Sequence, residues 1–120
     1  SLDGNPVWAS DGVPITPDGS INSVPVADSV IVCGGIGIQG TVTGELVKWL
    51  RGQARYAKRL GGICTGSFVL ARAGLLDGYE CSVHWEWLAA MQEAFPNEPR
   101  GPNGFPFLFH LLPGMRWGGV

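Results

Sequence analysis

Nothing in this chain approaches the roughly 18 consecutive apolar residues of a membrane span, and no charged-then-apolar leader opens it, so a cytoplasmic chain with no membrane partner is expected. Surplus charge of one sign is missing too. Eight Lys and Arg against 10 Asp and Glu give a net charge of −2, which leaves no basic excess with which to grip nucleic acid. The cysteines, Cys33, Cys64 and Cys81, are odd in number and contain no C-x-x-C pair. That argues against a disulfide framework and a zinc knuckle, so reduced thiols are expected, with no metal and no other cofactor.

What is present is enough for one domain: 120 residues, 45% of them hydrophobic. The 19 glycines and 9 prolines bring the composition near the level at which disorder becomes a concern, but they punctuate apolar segments as turns do in a globular chain. The chain opens on Ser1 rather than methionine, as a fragment or a trimmed product would.

Residues 1 to 28 read as a run of turns. Asp3-Gly4, Asp11-Gly12 and Asp18-Gly19 are turn dipeptides, and the short pieces Pro6 to Ala9 and Val13 to Thr16 lean towards β structure. Each is too short to build a core, so they are expected to pack on the edge of a larger sheet. Ser29 to Cys33 is a continuous run suited to a strand covered on both faces. Gly34-Gly35-Ile36-Gly37 follows, either to let the chain turn, the commoner reason, or to let backbone approach a ligand. From Thr43 to Leu60 the spacing is helical. Thr43 is a plausible N-cap and Leu46, Trp49, Leu50, Ala54 and Ala57 form an apolar stripe, opposite a basic side that is most simply solvated.

The stretch from Leu60 to Gly78, LGGICTGSFVLARAGLLDG, then reads as strand, tight turn and helix, with the strand at Leu60 to Cys64, the helix at Ser67 to Ala73, and Gly74 as its left-handed stop. Cys64 at such a turn meets the positive end of the helix, a setting that lowers a thiol pKa. A small buried hydrophobe is the plain alternative. Glu80 to His84 reads as a third strand, and Trp85, Leu88, Ala89, Gln92 and Phe95 mark a helix that Pro96 ends. Strand and helix alternate three times, which predicts an α/β fold with a parallel sheet sandwiched by helices.

Ligands of such sheets bind beyond the carboxyl ends of the strands. Three features fall there: Gly34-Gly35, Cys64-Thr65 and His84-Trp85. The Gly35 and Thr65 backbone N–H groups are candidate oxyanion-type donors, and Cys64 and His84 the candidate catalytic pair, His84 otherwise being a packed or N-capping histidine. Trp85 is a candidate ligand-binding aromatic that could enclose a cationic amine, or else a core residue.

These segments, VIVCGG, GGICTGSFVLARAGLLDG and HWEWLAAMQEAFP, resemble the DJ-1/PfpI domain of the class I glutamine-amidotransferase-like superfamily. More narrowly, they are similar to the amino-terminal domain of GlxA-type AraC-family transcriptional regulators. The resemblance covers residues 1 to 96 and implies a flavodoxin-like fold, with Cys64 at a nucleophile elbow, Gly35 and Thr65 beside it and His84 close by. It also implies a homodimer that senses a small molecule, while DNA is bound by a separate helix-turn-helix domain that this chain lacks. Regulators with similar GLLDGY and HWE segments include ones that respond to quaternary amines such as glycine betaine and carnitine. Two departures stand out: Cys33 replaces the proline of many relatives, and the family's first strand and helix, which in enzymes supplies an acid to the cysteine, is missing. Residues 97 to 120, rich in Pro, Gly and Phe, leave the family pattern, so the chain is expected to be the middle of a domain.

Three functions follow. The first is a ligand-sensing domain without direct nucleic-acid binding, in which Cys64 and His84 would be vestigial as catalysts. The second is a cysteine hydrolase or hydratase resembling isonitrile hydratase. The missing acid weighs against it, since acid–base assistance contributes about 10²- to 10⁴-fold. The third is a non-functional fragment whose open strand edges favour aggregation.

Overall fold

The computed structural model describes residues 1–76, 89–90 and 93–95. Two short strands, β1 (Val7–Trp8) and β2 (Pro14–Ile15), pair antiparallel with Val7 opposite Ile15. Their connection is closed by the Ala9 N–H on the Val13 carbonyl at 2.8 Å and by the Gly12 N–H on the Ala9 carbonyl at 2.9 Å. Among the described residues this ribbon pairs with no other strand, where the sequence reading expected it at the edge of a larger sheet. Two residues per strand make an edge too short to extend a five-residue neighbour.

The main sheet is formed by β3 (Ser29–Cys33) and β4 (Arg59–Ile63), parallel and in register from Ser29 opposite Arg59 to Cys33 opposite Ile63. Between them come a short helix α1 (Ile38–Thr41), which the sequence pattern did not reveal, and α2 (Gly44–Ala54). Thr43 caps α2 as expected, its hydroxyl accepting the Leu46 N–H at 3.2 Å. The helix stops at Ala54, well short of Leu60, because the next chain segment is captured by the sheet. Lys58 and Arg59 both donate their N–H groups to the Asp28 carbonyl, at 2.9 and 3.1 Å, and this starts β4 one residue earlier than the apolar pattern implied.

After β4 comes α3 (Gly66–Arg72). It ends in a Schellman motif: Gly74, at φ +70°, gives its N–H to Ala71, and Leu75 gives its own to Leu70 at 3.0 Å. The Arg51 guanidinium Nε donates to the Ala73 carbonyl at 2.8 Å and ties α2 to the same helix end. One core joins these elements: Val30 and Leu60 from the sheet, Leu46 and Leu50 from α2, Phe68, Val69 and Leu70 from α3, and Leu76 beyond it. Gln53 is the polar member of the buried α2 face, and its side-chain carbonyl accepts the Ala27 N–H at 3.0 Å. The half-buried Phe95 packs edge-on against Phe68, with ring centroids 5.5 Å apart, and residues 89–90 and 93–94 are helical as the Trp85-to-Phe95 pattern predicts.

Among the described residues the sheet is covered on one face only. Val30 is buried, whereas Ser29, Ile31 and Cys33 are exposed, as are Arg59 and Ile63 beside them. The expected third strand at Glu80 to His84 and the tail from residue 97 lie outside the described residues. No described helix is long and apolar enough to cross a membrane.

Candidate functional site at the strand ends

The carboxyl ends of β3 and β4 are brought together by glycine. A Cβ built on Gly66 would collide with the Val32 carbonyl, one on Gly34 with the Gly66 amide nitrogen, and one on Gly62 would sit 2.7 Å from the Ser67 nitrogen. The first turn of α3 therefore rests backbone-on-backbone upon both strands, an approach open only to residues without a Cβ. For Gly34 this overturns the reading of the Gly-Gly pair as simply a turn; at Gly35, by contrast, nothing lies within 4 Å of the position a Cβ would take.

Squeezed between β4 and α3, the chain makes its change of direction in one residue. Cys64 has φ +56°, the one non-glycine residue with positive φ among the described residues. Such a conformation is costly for an L-residue and persists where the surroundings over-determine it. Here the Gly34 N–H donates to the Ile63 carbonyl at 3.1 Å on one side, and on the other the buried Ser67 hydroxyl donates to the Cys64 carbonyl at 3.4 Å. Cys64 is exposed, so the buried-hydrophobe alternative does not hold.

Thr65 follows at the N-cap of α3, and only 6% of it is exposed. Its hydroxyl does not cap the helix but donates to the Gly35 carbonyl at 3.0 Å. That bond locks the loop after β3 to the loop after β4. Neither the Gly35 nor the Thr65 N–H finds an acceptor among the described residues, so both remain as donors. The structure thus brings together Gly35, Cys64 and Thr65. His84 and Trp85 lie outside the described residues. Sequence reasoning missed Ser67 as a support of the turn and gave Cys33 no part, although Cys33 is a second exposed thiol at the same edge. No group of three or more potential metal ligands occurs among the described residues.

A strand, a one-residue turn at positive φ bearing an exposed cysteine, and a helix resting on glycines meet at this edge. The model of the DJ-1/PfpI family matches residues 1–97. This chain belongs to the DJ-1/PfpI family. Its fold is accordingly the flavodoxin-like α/β sandwich expected from the sequence.

Over 96 residues the chain is 68% identical to the HTH-type transcriptional regulator GbdR of Pseudomonas aeruginosa, a match that covers 80% of this chain and 26% of that protein. It is 46% identical over 96 residues to the regulator CdhR of the same species, covering 80% of this chain and 29% of that protein. With the isonitrile hydratase of Pseudomonas putida it shares 36% identity over 83 residues, 68% of this chain and 36% of that enzyme. Among solved structures, an AraC family transcriptional regulator from Pseudomonas putida superposes with a TM-score of 0.69 at 32% identity, over 85% of this chain and 55% of that one. The chain thus spans about a quarter of the length of GbdR and CdhR.

Proposed function

We propose that this chain is the ligand-sensing DJ-1/PfpI-like part of an AraC-family transcriptional regulator, with a small molecule held at the carboxyl edge of β3 and β4. The observation that carries the reading is the 68% identity to an HTH-type regulator across nearly all of the family-like region. The geometry supports it, since Gly35 and Thr65 offer N–H groups that find no acceptor among the described residues, beside an exposed Cys64, and can bind a carboxylate or carbonyl oxygen of the ligand. His84 and Trp85 complete the site in this reading. Trp85 gives it a preference for a small amine, held by cation–π attraction. The chain acts as a homodimer in the cytoplasm and does not bind DNA itself, which falls to a helix-turn-helix domain elsewhere in the regulator.

Thermal unfolding with glycine betaine or carnitine tests this. A ligand at 100 times its dissociation constant adds about 2.7 kcal/mol to stability, enough for a clear rise in Tm. Absence of a shift with a broad panel of amines and other small metabolites would overturn sensing.

A catalytic reading has one observation of its own, the strained φ of Cys64, which is the backbone form that exposes a nucleophile. It requires turnover of an isonitrile or a related substrate that disappears in Cys64→Ser. The sensing reading expects no turnover.

A further inference from the structure

Two exposed thiols lie at the carboxyl edge of the sheet. Cys33 is the last residue of β3 and pairs in register with Ile63, and Cys64 follows Ile63 directly. With neighbouring strands about 4.8 Å apart and successive Cα atoms about 3.8 Å apart, the Cα atoms of Cys33 and Cys64 are separated by about 6 Å. That falls inside the range of about 4.4–6.8 Å that a disulfide bridges. Both cysteines are free and exposed, and neither sulfur makes a hydrogen bond to a described residue.

The backbone on either side of the pair is pinned. The Gly34 N–H holds the Ile63 carbonyl at 3.1 Å and the Thr65 hydroxyl holds the Gly35 carbonyl at 3.0 Å, so the two strand ends cannot drift apart. In an extended strand successive side chains point to opposite faces, which would part a residue in phase with Ile63 from the residue after it. Cys64, at φ +56°, is not in that conformation.

We propose that Cys33 is the resolving thiol of Cys64, so that a hydroperoxide converts the pair into an intramolecular disulfide. The Cys64 sulfur attacks the hydroperoxide, the O–O bond breaks, and the sulfur gives up two electrons to become a sulfenic acid while the peroxide leaves as water or an alcohol. The Cys33 sulfur then attacks the sulfenic sulfur. The S–O bond breaks, an S–S bond forms, and the departing hydroxide takes the Cys33 proton and leaves as water. Such a bond at the mouth of the strand-end site keeps Cys64 from irreversible oxidation to the sulfinic acid. The chemistry does not depend on the sensing reading, and its readout involves no ligand.

The test is a peptide map of the reduced full chain after hydrogen peroxide and blocking of the remaining thiols, read by mass spectrometry without reduction. The expected result is one species in which the Cys33 and Cys64 peptides are joined, monomeric on a non-reducing gel and reversed completely by dithiothreitol. Cys81→Ser keeps that linkage. Cys33→Ser loses it entirely and accumulates Cys64 sulfinic acid, while in Cys64→Ser the Cys33 thiol survives the same treatment. The proposal is overturned if Cys64 in the unsubstituted chain reaches sulfinic acid as fast as in Cys33→Ser, or if Cys64 is joined to Cys81 or to a second chain. The map of the unsubstituted chain decides between these outcomes even where a variant folds poorly.

Discussion

The sheet with its turn at Cys64 and the amino-terminal ribbon are held together by opposite means. Around Cys64 the contacts are backbone against backbone, made possible by Gly34, Gly62 and Gly66, and sealed by an almost fully buried α3. In the ribbon Val7, Trp8, Val13 and Ile15 are all exposed, and order comes from local hydrogen bonds such as the Asp11 carboxylate accepting the Val13 N–H at 3.1 Å. Where no side chain can intervene, a small addition has nowhere to go. Where little is buried, a large deletion removes little.

The strongest way to break this contrast is Gly66→Ala. Its new methyl must displace the Val32 carbonyl, which belongs to the strand itself, so a loss of more than about 4 kcal/mol and no cooperative urea transition are expected. Gly35→Ala, in the same edge but with open space around it, should stay within about 0.5 kcal/mol of the parent. Equal effects at the two positions would show that the close approach is not what holds the turn at Cys64.

Next in size is Leu50→Ala. With 0% of the side chain exposed, it should cost about 2–5 kcal/mol in denaturant titrations. Trp8→Ala deletes a larger side chain that is 68% exposed and should change stability by no more than about 0.5 kcal/mol. Thr43→Ala removes the cap of α2 and should lower stability by about 1 kcal/mol, with a matching loss of helical circular dichroism.

The smallest effect belongs to the amino-terminal loop. The Asn5 backbone N–H, and then its side-chain amide, hold the Asp3 carboxyl below its ordinary value. Its folded-state pKa is lowered, so the stability it adds is present above the ordinary carboxylate pKa and fades as pH falls through the lowered one. Carboxyl NMR should show Asp3 titrating below free aspartate in the parent and moving up towards the ordinary value once Asn5 is replaced by proline, which removes both Asn5 donors while the Ser1 hydroxyl stays.

Much of the site was legible because it is written in local rules. The Thr43 cap, the stop at Gly74 and the turn at Cys64 each depend on the conformational freedom or hydrogen-bonding capacity of one or two residues, which the sequence states outright. The length of α2 was not legible in the same way. Nothing between Arg55 and Lys58 forbids helix; the Asp28 carbonyl, which accepts from both Lys58 and Arg59, ends it from 30 residues away. Which face of β3 the described helices cover was not legible for a related reason. Ser29 to Cys33 is apolar enough for two covered faces, and a run of that kind carries no sign of which face a helix will take.

By itself, then, the sequence determined the order of strand and helix from Ser29 to Arg72, the cap at Thr43, the stop at Gly74 and the turn at Cys64, because these are short-range consequences of side-chain shape and backbone freedom. Only the tertiary structure decided that Gly34 and Gly66 serve contact rather than turning, that Thr65 binds the neighbouring loop instead of its own helix, and that Cys33 lies opposite Ile63, the residue before Cys64. Each of those facts relates residues about 30 positions apart, and such a distance is closed by strand pairing and burial, which no local pattern encodes.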